Sequence, residues 1–148
     1  MDWSYGLRKD CRNQFAAWLD QHEWQIYLTG TFRPEMTIDT TEKARKCFDR
    51  YVKNIGGKSK GRNIDYFMAV EWNKAKEFTH VHAMLNGVKD HDLRQLWEKW
   101  FNPYGRATVE RYEKGKGANH YLTKYCLKEL CDWDIRIKTE RQLKMIRG

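Results

Sequence analysis

Phe78-Thr79-His80-Val81-His82-Ala83-Met84-Leu85 reads as a strand. Its length and apolar content suit one, and the histidines fall on alternate positions. His80 and His82 therefore project from the same face of the pleat, while Val81 turns the other way, into a core. Two imidazoles side by side make half of a metal site. A His-x-His pair is by itself a weak signal, equally at home on a solvated strand. What lies before and after it in the chain gives it weight.

Before it comes Asp65-Tyr66-Phe67-Met68-Ala69-Val70-Glu71-Trp72, a second run rich in apolar and aromatic residues. The five residues Asn73-Lys74-Ala75-Lys76-Glu77 between the runs are polar and short enough for a hairpin loop. Folding that hairpin brings the Glu71 carboxylate level with the histidines. Two imidazoles and one carboxylate suit a hard-to-borderline divalent cation, with positions left open for substrate oxygens. The bland alternative for Glu71 is a solvated carboxylate at a strand end.

After it, Gly117 to Leu130 is helical in pattern. Leu122, Cys126 and Leu130 recur every four residues and mark one apolar stripe. Tyr121, Lys124, Tyr125 and Lys128 fall at i, i+3, i+4 and i+7 and share another stripe. Two phenols and two ammonium groups are poor core material but suit an anionic substrate. A phenol is a sluggish nucleophile at neutral pH, since its ordinary pKa is about 10. Neighbouring lysine charges and a held phosphate lower that barrier.

These stretches together resemble the HUH endonucleases. His80-Val81-His82 is similar to their His-hydrophobe-His signature, and Tyr121-Leu122-Thr123-Lys124-Tyr125-Cys126-Leu127-Lys128 to the Tyr-x-x-Lys-Tyr-x-x-Lys motif of the two-tyrosine rolling-circle replication initiators. Leu28-Thr29-Gly30-Thr31-Phe32 resembles the first family motif, more often Leu-Thr-Leu-Thr-Phe. Val70-Glu71-Trp72-Asn73-Lys74 resembles the lead-in to the histidines, where the acid is the third metal ligand. Each motif alone is weak; the ordered set across residues 28–128 is strong. One departure stands in the loop before the histidines, which reads Lys76-Glu77-Phe78 where the family often has an Arg-Gly pair.

The composition agrees with a DNA partner. The 148 residues carry 28 Lys and Arg against 20 acids, a net charge of +8, which favours a polyanion. Seven Trp and eight Tyr exceed what one core needs, and some of those rings could stack on bases. Basic residues cluster at Lys58, Lys60 and Arg62 and at Lys114 and Lys116, in glycine-rich stretches that read as DNA-backbone contacts or solvated linkers. No run of about 18 apolar residues exists and Met1-Asp2-Trp3 opens no signal peptide, so no membrane role and a cytoplasmic location are expected. Cys11, Cys47, Cys126 and Cys131 form no Cys-x-x-Cys pair, which argues against a zinc knuckle or disulfide framework.

The length suggests a single domain over residues 1–148. In order, the chain reads as a helix to about Gln21, a strand from Trp24 to Arg33, a helix from Thr41, the open basic loop, and the hairpin. A third helix capped by Asp90 follows, with Leu93, Leu96, Trp97 and Trp100 on its apolar side. A strand from Arg106 to Tyr112, the tyrosine helix and a last strand from Asp132 to Lys138 complete it. Without strict strand-helix alternation the expectation is α+β, a central antiparallel sheet of about five strands flanked by helices.

The resemblance implies a rolling-circle replication initiator that nicks single-stranded origin DNA, in or near a hairpin. His80, His82 and Glu71 would hold Mg²⁺ or Mn²⁺. Tyr121 or Tyr125 would attack phosphorus and form a 5′-phosphotyrosine, a covalent protein–DNA link, releasing a 3′-OH that primes synthesis. Lys124 and Lys128 would orient phosphate or lower the phenol pKa. The linkage preserves bond energy, so the reverse step joins ends. No Gly-x-x-x-x-Gly-Lys-Ser/Thr loop is found, so no helicase domain is expected and unwinding falls to a host helicase, with a host polymerase extending the 3′ end. An HUH transposase or relaxase is the enzymatic alternative, and a non-catalytic single-strand-binding module the other.

Overall fold

The computed structural model describes residue 11 and residues 13–73, 75, 77–88, 91–117 and 131–137. Helix α1 covers residues 13–19. Then come β1 (Ile26–Gly30), α2 (Thr41–Ile55), β2 (Asp65–Trp72), β3 (Thr79–Asn86), α3 (Leu93–Phe101), β4 (Ala107–Arg111) and β5 (Cys131–Arg136). The strands form one five-stranded antiparallel sheet in the order β4-β1-β3-β2-β5. The expected α+β fold is the one observed, an antiparallel sheet flanked by three helices.

The hairpin of β2 and β3 is the centre of the sheet. Asn73 closes it: its side-chain oxygen accepts from the amides of Glu77 and Phe78 at 2.8 and 3.0 Å, and its own amide donates to the Phe78 carbonyl at 3.0 Å. An asparagine that bonds the backbone in this way replaces the Arg-Gly pair as the device that shapes the turn.

The pleat divides the sheet into two faces. Ile26, Leu28, Met68, Val70, Val81, Ala83 and Leu85 join Phe48, Tyr51, Ile55 and Trp100 in the larger core, under α2 and α3. On the other face Leu19, Trp24, Phe67, Ala69 and Met84 form a smaller cluster, with Phe15 of α1 packed on it.

α2 begins at the expected place because the Thr40 hydroxyl accepts from the Lys43 amide at 3.1 Å. The cap of α3 is Asp92 rather than Asp90. The Asp92 carboxylate accepts from the Gln95 amide at 2.7 Å, and the Gln95 side chain accepts from the Asp92 amide at 3.1 Å. Such a reciprocal box satisfies two otherwise orphaned amides, which a lone Asp two residues earlier cannot do.

Gly30 has a packing reason. A Cβ there would collide with the indole of Trp100, whose Nε1 donates to the Thr31 carbonyl at 2.9 Å. The indole fills the volume that a leucine occupies in the more common form of the motif. Residues 56–62, expected as an open loop, are instead a folded turn. A short 3-10 helix spans Gly57–Ser59, Arg62 Nε donates to the Ser59 carbonyl at 3.0 Å, and Gly61 sits against Val52 where a side chain would not fit.

Candidate metal centre and its surroundings

β2 and β3 pair so that Glu71 stands directly opposite His80, and Ala69 opposite His82. Directly opposed residues share a face, with Cβ atoms about 4.5–5.5 Å apart. His82 is two residues along the same strand, about 6.6 Å further on. Glu71, His80 and His82 therefore lie on one face, the one that carries α1, near the end of the sheet where the hairpin turns. Val81 is fully buried on the opposite face, as expected. Glu71 and His80 are partly exposed, while His82 is 8% exposed.

β1 contributes to the same face. Thr29 is opposite His82, and Tyr27 reaches diagonally to it, its hydroxyl 3.2 Å from His82 Nδ1. The sequence reading missed Tyr27. The signal was available, since Tyr27 and Thr29 alternate on the strand that bears the first motif.

The donor set, a carboxylate and two imidazoles with one imidazole held from behind, suits a divalent cation that keeps open positions. Among the described residues, no three His, Cys, Asp or Glu side chains converge tightly enough to enclose an ion. The face is thus an open array of donors along the hairpin rather than a closed cage.

Tyr121, Lys124, Tyr125 and Lys128, and with them His120, lie outside the described residues. Their attachment points are known. β4 and β5 are the two edges of the sheet. β4 ends with Arg111 opposite Ile26, at the end away from the hairpin turn. β5 begins with Cys131 opposite Glu71, at the hairpin-turn end. The segment from 112 to 130 thus leads to the neighbour of the carboxylate.

The basic clusters sit elsewhere. Lys58, Lys60 and Arg62 precede Asp65, at the far end of β2, and Lys114 and Lys116 follow Arg111 at the same end of the sheet. All five are exposed, and Lys116 pairs with Glu113 at 3.6 Å. Six residues of extended strand separate Asp65 from Glu71, about 20 Å. The structure does not bring these clusters together with the histidines.

What lies beside His80 is a cleft of about 410 Å³ at the hairpin-turn end. Its walls come from the loop after β1, the start of β3 and Arg106. None of these was singled out from sequence, because the walls are distant in the chain. No helix among the described residues is long and apolar enough to cross a membrane.

Residues 25–130, well over half of the chain, match the family model for the replication-associated protein ORF2. The chain belongs to that family of replication-associated proteins. No curated protein and no solved structure matches it.

Proposed function

We infer that the protein is a rolling-circle replication initiator of the HUH, two-tyrosine kind, which nicks and rejoins single-stranded DNA at an origin. The observation that carries this reading is the register around Glu71, which lies between His80 on β3 and Cys131 on β5. The Tyr-x-x-Lys-Tyr-x-x-Lys segment runs directly into Cys131. Lys128 is three residues before Cys131, so its Cα is within about 11 Å of that strand start.

Glu71, His80 and His82 would hold Mg²⁺ or Mn²⁺, which when bound would grip the phosphate oxygens and offset developing charge. Tyr27 fixes the ring of His82. A tyrosine phenol gives up its proton and its oxygen bonds to phosphorus. The bond from phosphorus to the 3′ oxygen breaks, and that oxygen leaves with the electron pair and gains a proton as a free 3′-OH. Lys124 and Lys128 favour the phenolate and steady the phosphate. Because one phosphoester replaces another, the 3′-OH can reverse the step without an energy source.

The test is a denaturing gel of labelled single-stranded origin DNA incubated with protein and Mn²⁺. A covalent adduct is expected, lost with EDTA and in His80→Ala, while both retain strand binding. Full-rate cutting in EDTA overturns the metal assignment. Binding with no adduct under any condition makes the protein a binding module.

A further inference from the structure

We propose that the cleft beside His80 is a nucleotide subsite, in which Phe78 stacks on a base and Arg106 holds a phosphate of the strand next to the cut. The proposal deepens the nicking reading and rests on it for the position of the cut. Both residues line the same cleft as His80.

Phe78 is 46% exposed, an unusual state for a phenyl ring on a hairpin at the centre of a sheet. Its backbone is held at both amide and carbonyl by Asn73. A rigidly mounted, solvent-facing ring is what base stacking requires, and stacking tolerates any base. Arg106 is mounted as firmly: its carbonyl accepts from the Thr31 amide at 2.8 Å and the Thr31 hydroxyl at 3.1 Å. Its guanidinium is exposed and, among the described residues, has no carboxylate within ion-pair distance.

The other charges of the cleft are accounted for. Asp39 is paired with Lys43 at 2.7 Å, which holds its carboxyl below the usual range. Arg33 donates to the carbonyls of Phe101 and Asn102 at 2.7 and 3.1 Å and so caps α3. Glu77 alone opposes an anion, at the hairpin rim. Arg106 is therefore the cation available to a phosphate, and the phenyl ring beside it selects a nucleotide over a free anion.

The test needs no metal and no cutting. Fluorescence anisotropy measures binding of a labelled thymidine dodecamer and of an abasic strand of equal length, in EDTA. Phe78→Ala should weaken the thymidine strand at least five-fold and the abasic strand hardly at all. Phe78→Trp should restore the loss. Arg106→Ala should weaken both strands alike and lower the log–log salt slope by about 0.7. Equal losses on both strands in Phe78→Ala, or thymidine binding unchanged in both alanine variants, overturns the subsite. Adduct formation by the wild type, read separately with Mn²⁺, shows whether the nicking reading fails on its own.

Discussion

The phenol of Tyr27, on β1, lies 3.2 Å from Nδ1 of His82, on β3. A metal-binding imidazole commonly uses its second nitrogen in this way, and the partner fixes both ring orientation and tautomer. With Nδ1 turned to Tyr27, Nε2 is the nitrogen that would meet a cation. Tyr27→Phe keeps the ring and removes only the hydroxyl. Mn²⁺ affinity, measured by calorimetry, should fall about 10- to 100-fold with little change in melting temperature. Equal affinities would mean that the phenol only packs.

Trp100 and Gly30 should be coupled. Trp100 is fully buried, so Trp100→Ala should cost about 3–5 kcal/mol. Gly30→Ala pushes a methyl into the indole and should cost about 1–3 kcal/mol. In the double variant the methyl enters space the indole has left, so the losses should fall short of additive. Urea unfolding of the four proteins measures this, and additive losses would show that the indole is not what excludes a side chain at position 30.

This pair also marks where sequence reading stops. The strands, α2 and the level of Glu71 with His80 were legible, because alternation, capping and hairpin length are local. That Gly30 makes room for Trp100 was not, because 70 residues separate them. Asp92 was overlooked for Asp90 because both are N-cap residue types; only the box with Gln95 separates them. The basic clusters stood out by charge density, yet charge density carries no information on which end of a strand a loop occupies. The cleft beside His80 draws on three loops and has no linear pattern at all.

Alkaline stability should report on Tyr66. Burial, and after it the Asp134 carboxylate, push its phenol up to about 12. An unfolded tyrosine titrates near 10, so the folded state holds the proton more tightly. Its contribution is whole below about pH 10 and is lost as pH rises through about 12. Tyr66→Phe cannot ionise, so its stability should fall less steeply over that window in denaturant titrations. Tyr51, shifted upward by its own burial, leaves some slope in both proteins. Identical slopes would remove Tyr66 from the account.

The position of the basic clusters makes a length-dependent prediction. Neutralising Lys58, Lys60, Arg62, Lys114 and Lys116 removes five charges about 20 Å or more from the histidines. Cutting of a short strand centred on the nick should be unchanged. Binding of a long strand should lose salt sensitivity, by about 0.7 in slope for each phosphate contact removed. An unchanged slope on the long strand would place its path elsewhere, and slowed cutting of the short one would bring the clusters into the site.

Tyr121 and Tyr125 should both be competent nucleophiles. They are four residues apart in a stretch that reads as a helix, so their side chains would leave it in nearly the same direction, about 5–6 Å apart at Cβ. A phosphate held at Glu71, His80 and His82 could then be reached by either through a small shift of protein or strand. Each phenol has a lysine three residues on, Lys124 for Tyr121 and Lys128 for Tyr125, so neither is electrostatically favoured by that measure. Two equivalent nucleophiles would let one hold the first strand while the other cuts again, which ends a round of replication without a second protein. Tyr121→Phe, Tyr125→Phe and the double variant are incubated with origin DNA labelled on either side of the nick. Each single variant should still form an adduct on the fragment that carries the 5′ phosphate, and the double variant none. If one single variant is as inactive as the double, the other phenol serves packing or base stacking, and alternation between the two is excluded.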